Sequence, residues 1–133
     1  MKTLLECMAA WTAAETLKDT PCAYTTALAL YRLRSALKPE TEFYLKKERE
    51  LAETYGKRDA DGQLAVRGGT VEFDTQKALD EFRKARQELN ETPAQTEFKP
   101  VQAPAPAMIT PAQLEALEGF IEFEEGRTWD CRG

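Results

Sequence analysis

From Cys22 to Tyr55 the sequence keeps one helical rhythm, with Ala27, Leu30, Leu33, Leu37, Tyr44, Leu51 and Tyr55 near a single stripe. On the other side Glu42, Lys46 and Glu50 stand four apart, the spacing of ion pairs along a helix. A segment this long dictates the architecture of a 133-residue chain. Its one interruption is Pro39, which removes an amide donor and crowds the carbonyl of Ser35, so a kink or split is expected there. A partner helix is signalled by Asp74 as cap, then Leu79, Phe82, Ala85 or Arg86, and Leu89, ending near Asn90. Asp80, Lys84 and Glu88 set two further ion pairs at four-residue spacing on its outer face. The two helices are expected to pack as an antiparallel pair.

What joins them, "YGKRDADGQLAVRGGTVEFD", has two readings. As a calcium loop it needs a carboxylate at position one and a bidentate Glu at position twelve, where it has Lys57 and Gly68. As a hairpin it fits better. Leu64 and Val66 share one face, Val71 and Phe73 another, and Gly68-Gly69 supplies the positive φ that a two-residue turn requires. Asp59-Ala60-Asp61-Gly62 is then a polar turn between the long helix and the first strand. "GGT" lacks the GxxxxGK pattern of a phosphate loop.

At the N-terminus Thr3 and Glu6 form a capping box, and Leu4, Leu5, Met8, Trp11 and Leu17 define a first helix over about 4–18. Glu6 breaks the resemblance of this stretch to a secretion signal. After the third helix the prolines at 93, 100, 104 and 106 imply an extended segment, with an edge strand near 95–99 and a polyproline-like linker. A last helix, about 111–123, opens on Thr110 as cap, Pro111, and Gln113 closing a second box. Ile109 and Leu114 are placed as a staple, and Leu114, Leu117, Phe120 and Ile121 form its apolar face. It is expected to pack back on the body rather than on a partner.

Composition narrows the function. The chain has no histidine, and its cysteines, Cys7, Cys22 and Cys131, form no CxxC pair, which excludes zinc sites and His-based catalysis. Cys7 and Cys22 sit among apolar neighbours and read as buried thiols of a reducing compartment; Cys131 is the exposed one. The net charge is -5, and -4 of it falls on residues 110–133. A solvated helix explains such an excess, and so does a basic partner. Lys46, Lys47 and Arg49 are interleaved with Glu48, Glu50 and Glu53, the pattern of a solvated face and not of a nucleic-acid stripe. Carboxylate pairs such as Glu124-Glu125 carry no mark of catalysis, and no stretch approaches the length of a membrane span.

Pro21, Ala23-Tyr24, Glu48-Arg49-Glu50-Leu51, Tyr55-Gly56, Asp59, Asp61-Gly62, Phe82, Glu88-Leu89 and Thr110-Pro111-Ala112-Gln113-Leu114 follow one another in a telling order. Over residues 4–123 that order resembles a family of small tailed-phage and prophage proteins of unknown function. The family runs through a proline break before "AY", a long charged helix ending in "YG", an "xDxDG" turn, a strand pair, an "FxxxxxEL" helix and an "LTPAxLxxLxxxI" helix. Pro39 and the proline-rich linker depart from the pattern. The resemblance implies a phage or prophage origin and a small non-enzymatic accessory role, and carries over no catalytic residue.

The expected fold is α+β and mainly α, a single domain over 1–126: an antiparallel long-helix hairpin joined by a small β-hairpin near 63–73, with short N- and C-terminal helices and a frayed tail over 127–133. The expected function is protein binding without catalysis, cofactor, metal, direct nucleic-acid contact or membrane, in a host bacterial cytoplasm or a virion. One form is a virion or assembly accessory. The other is an inhibitor of a host defence enzyme, laying its acidic face against a basic nucleic-acid groove. A metal-dependent enzyme built on unpaired carboxylates is the third class. The residues expected to meet a partner are Glu115, Glu118, Glu122, Glu124, Glu125 and Trp129. A monomeric hairpin and a dimeric bundle both suit the helices.

Overall fold

A computed structural model describes residues 2–124. Helix α1 spans Leu4–Leu17, and the capping box is formed: Glu6 N–H donates to the Thr3 hydroxyl and Thr3 N–H to the Glu6 carboxylate. Helix α2 spans Tyr24–Tyr55, 32 residues, or about 48 Å of axis at 1.5 Å per residue. It runs through Pro39 without splitting. Ser35 and Pro39 both lie on the exposed side, where water can take the carbonyl that Pro39 leaves without a donor.

The connection is a hairpin, β1 (Val66–Arg67) against β2 (Thr70–Val71), antiparallel, with Val66 opposite Val71. Gly68 and Gly69 turn it at φ of 59° and 82°. Helix α3 spans Gln76–Glu91. Its N-cap is Thr75 and not Asp74: the Thr75 hydroxyl accepts from Ala78 N–H at 3.0 Å. Tyr44 donates its hydroxyl to Asn90 at 2.6 Å and Arg86 meets Glu48 at 3.0 Å, so residue numbers fall on α3 as they rise on α2 and the pair is antiparallel. Among the described residues the outer-face pairs Glu42–Lys46, Lys46–Glu50, Asp80–Lys84 and Lys84–Glu88 are absent; Lys47–Glu50 forms at 3.3 Å. The fold is mainly helical α+β, as its sequence implies.

Two corrections concern the last third of the chain. The expected edge strand at 95–99 lies further on, as β3 (Val101–Pro104). Helix α4 spans only Pro111–Leu117, not 111–123: Gly119 turns the chain at φ 85°, and Ile121–Glu124 form β4, parallel to β3 with Val101 opposite Ile121. Val101 donates its amide to the Phe120 carbonyl, so odd residues of β3 face the ladder. Pro104 therefore points its missing amide away and costs no bond there, which is why a proline-rich stretch pairs at all. The Pro104 carbonyl accepts from the Thr26 hydroxyl at 2.5 Å and is held against α2.

The core lies where α1, the first half of α2, the end of α3 and both late strands meet. Here α1 departs from its expected stripe. Leu4, Cys7, Ala10, Ala14 and Leu17 face inward, Met8 and Trp11 are half-buried, and Leu5 is exposed. With apolar residues all round α1, its small side chains win the inner face because they let two helices approach closely. Leu30, Leu33 and Leu37 answer from α2, and Leu117, Phe120 and Ile121 close the other side. Helix α4 packs on α1, where Gln113 donates to the Thr16 hydroxyl at 2.8 Å.

Candidate functional site

The turn Asp59–Gly62 is held by bonds to its own backbone. One carboxylate oxygen of Asp59 accepts from Asp61 N–H at 2.9 Å and Gln63 N–H at 3.0 Å, and the Asp59 carbonyl accepts from Gly62 N–H at 3.0 Å. Gly62 takes φ 78°. Among the described residues no group of three or more Cys, Asp or Glu is placed to hold a metal ion.

The carboxylate that structure singles out is one that sequence passed over. Glu40, 6% exposed, sits beside Pro39 on the inner face of α2. One of its oxygens accepts from Gln95 N–H at 3.1 Å; the other accepts from Thr96 N–H at 3.2 Å and the Thr96 hydroxyl at 2.8 Å. All its bonds go to the segment after α3, so this buried charge is a clamp that positions the chain before β3. Nothing in its helical spacing distinguished it from the other glutamates of α2. Cys7 is fully buried and free, and desolvation pushes its thiol up to about 11; Cys22 is free and half-buried, and Cys131 lies outside the described residues.

The acidic residues expected to meet a partner come together in part. Glu115 lies on α4 and Glu118 is its C-cap, while Glu122 and Glu124 share one face of β4; all four are exposed. The Gly119 turn joins these two elements. Between them is a depression of about 500 Å³ lined by Leu114, Glu115, Glu118, Ile121, Glu122 and Phe123. Glu124 is outside the depression, and Glu125 and Trp129 lie outside the described residues.

Among the described residues Lys2 borders this ridge. Lys2 donates its ammonium to the Glu118 backbone carbonyl at 3.0 Å, lies 3.9 Å from the Glu6 carboxylate, and stands 4.7 Å from the centre of the Phe120 ring. It ties the N-terminal strap to the Gly119 turn through the Glu118 backbone and not through a ridge carboxylate. Among the described residues none of Glu115, Glu118, Glu122 and Glu124 takes part in an ion pair. The arrangement can attract and orient a cationic surface; each exposed pair it forms is worth about 0–1 kcal/mol, so its main effect is on encounter and register. No helix among the described residues is long and apolar enough to cross a membrane.

Comparison with known proteins yields no matching family model, curated protein or solved structure.

Proposed function

We propose that this chain acts by binding another protein through the α4–β4 ridge, as a non-enzymatic accessory of phage or prophage origin concerned with virion assembly. The observation that supports it is the depression lined by Glu115, Glu118 and Glu122 together with the apolar side chains of Leu114, Ile121 and Phe123. Leu114, 45% exposed, lines the same depression as three carboxylates, a combination of apolar contact and charge. The partner is a protein face presenting lysine or arginine around a bulky apolar side chain. A basic nucleic-acid groove of a defence enzyme answers to the same description, and partner identity separates the two roles.

The test compares wild type with E115K/E118K/E122K as bait, using cross-linking and mass spectrometry in cells producing particles. Wild type should retain one partner in a salt-sensitive manner, and the variant should lose it by about tenfold or more. Capture of a head or tail component supports assembly, and capture of a nucleic-acid enzyme supports inhibition. Recovery indifferent to both salt and charge reversal would sink the ridge as a docking face.

A further inference from the structure

A second surface lies on the other side of Ile121. Between the outer flank of α2 and the segment leading into β3 runs a groove of about 310 Å³, near the lower end of the roughly 300–1,000 Å³ typical of small-molecule sites. Its floor is apolar: Ala29, Leu33 and Ile121 are buried, and the Phe98 ring meets the buried Phe120 ring nearly edge-on at 5.2 Å. The rim is not. Arg32 stands on the α2 wall and Lys99 on the opposite one, both exposed, with Glu97 the one carboxylate beside them. The ion pairs among the described residues leave out both Arg32 and Lys99. A chain of net charge -5 thus carries a local excess of cations at the mouth of an apolar slot.

We propose that this groove binds a small anionic amphiphile of the medium-chain monocarboxylate class. The tail lies on the Leu33–Phe98–Phe120 floor and the carboxylate at the Arg32–Lys99 rim. An extended peptide fits less well, because peptide capture by strand addition needs a sheet edge along the groove, and residues 96–99 of this wall belong to no strand. A compact ligand needs only a buried tail and one paired anion.

The experiment is a titration of the isotope-labelled chain, followed by amide NMR, with octanoate and decanoate below their micelle concentrations. Decanol and decyltrimethylammonium serve as head-group controls. Decanoate should saturate, with shifts confined to Leu28, Arg32, Phe98, Lys99 and Val101 and their neighbours. It should bind more tightly than octanoate by about fourfold per added methylene while the tail still fits. R32E/K99E, at two exposed positions, should weaken it about tenfold or more while keeping the spectrum of a folded chain. Ala36→Leu, which fills the slot, should abolish it, and E115K/E118K/E122K should leave it unchanged, separating this site from the ridge. No saturable shift, an equal response to decyltrimethylammonium, or indifference to R32E/K99E overturns the proposal. So does tight binding of an acidic, phenylalanine-bearing peptide by a groove that ignores decanoate.

Discussion

The two ends of the long helix pair are held by different means. At the end near α1, buried side chains from six elements meet; between Leu45 and Glu88, at the hairpin end, only Ala52 is buried. That end rests instead on main-chain bonds, Lys57 N–H to the Glu72 carbonyl and Ala65 N–H to the Lys57 carbonyl, each 2.8 Å. One aromatic pair, Phe73 with Phe82 at 5.1 Å, the Arg86–Glu48 and Arg67–Glu72 ion pairs and the Asp59 turn add to these. Gly56 allows the close approach: a Cβ there would lie 2.5 Å from Leu64 Cδ1 and 2.8 Å from Val71 Cγ1. A region can be locally well specified by turn chemistry while contributing little burial, and its stability then depends on the other end.

The largest test of this contrast removes apolar volume at each end. Leu37→Ala, at a side chain with 0% exposure, should cost about 2–5 kcal/mol, as buried leucine deletions do. Phe82→Ala, at a half-buried ring, should cost less despite losing more atoms, because water already reaches part of it. Urea unfolding of both variants decides it, and equal losses would mean the hairpin end is as deeply packed as the core.

Next in size is the Glu40 clamp. Glu40→Leu removes the acceptor for three hydrogen bonds and should cost about 2–3 kcal/mol. Glu40→Gln, which keeps one good acceptor, should cost roughly half as much. If Glu40→Leu matches wild type in thermal unfolding, burial of the leucine compensates fully and the carboxylate is not what fixes the segment before β3.

Which parts were legible in sequence follows the same division. The capping boxes of Thr3–Glu6 and Thr110–Gln113, the Asp59 turn and the Gly68-Gly69 hairpin each close within a few residues, so their chemistry is written locally. The β3–β4 pairing joins residues twenty apart, and its sequence, with Pro100 and Pro104, argues against a strand until the ladder shows which amides face it. A signal for β4 was present in Gly119 followed by the alternation Ile121-Glu122-Phe123-Glu124, but helical spacing of Leu117, Phe120 and Ile121 masked it. Of the candidate site, the acidic residues were readable as charges. Their gathering around one depression depends on the turn at Gly119, and the inward aim of Glu40 depends on the helix packing.

A smaller effect is expected from the hairpin glycines. A Cβ at Gly68 or Gly69 meets nothing within 4 Å, so Gly68→Val and Gly69→Val cost backbone strain alone, about 1–2 kcal/mol each. Because the strands are two residues long and far from the core, the loss should appear first as faster hydrogen exchange at the Lys57, Ala65 and Glu72 amides. An unchanged exchange rate together with unchanged thermal stability would contradict the turn.

The smallest is a pH effect confined to the core end. Glu6 is held below its ordinary value of 4.5 chiefly by the backbone N–H of Thr3, and Glu15 chiefly by its hydrogen bonds from the Arg34 guanidinium, whose Nε lies at 2.7 Å. Each folded carboxyl titrates below its unfolded counterpart, so the unfolded chain takes up protons first as pH falls. Their contribution is complete above about 4.5 and is lost as pH drops through the lower folded values. Both glutamates lie on α1, so their loss of charge should loosen that helix, while the main-chain bonds of the hairpin do not involve them. Glu6→Gln with Glu15→Gln should flatten the decline in urea midpoint below pH 4.5 and leave hairpin exchange untouched. A decline as steep as wild type would place the acid sensitivity outside α1.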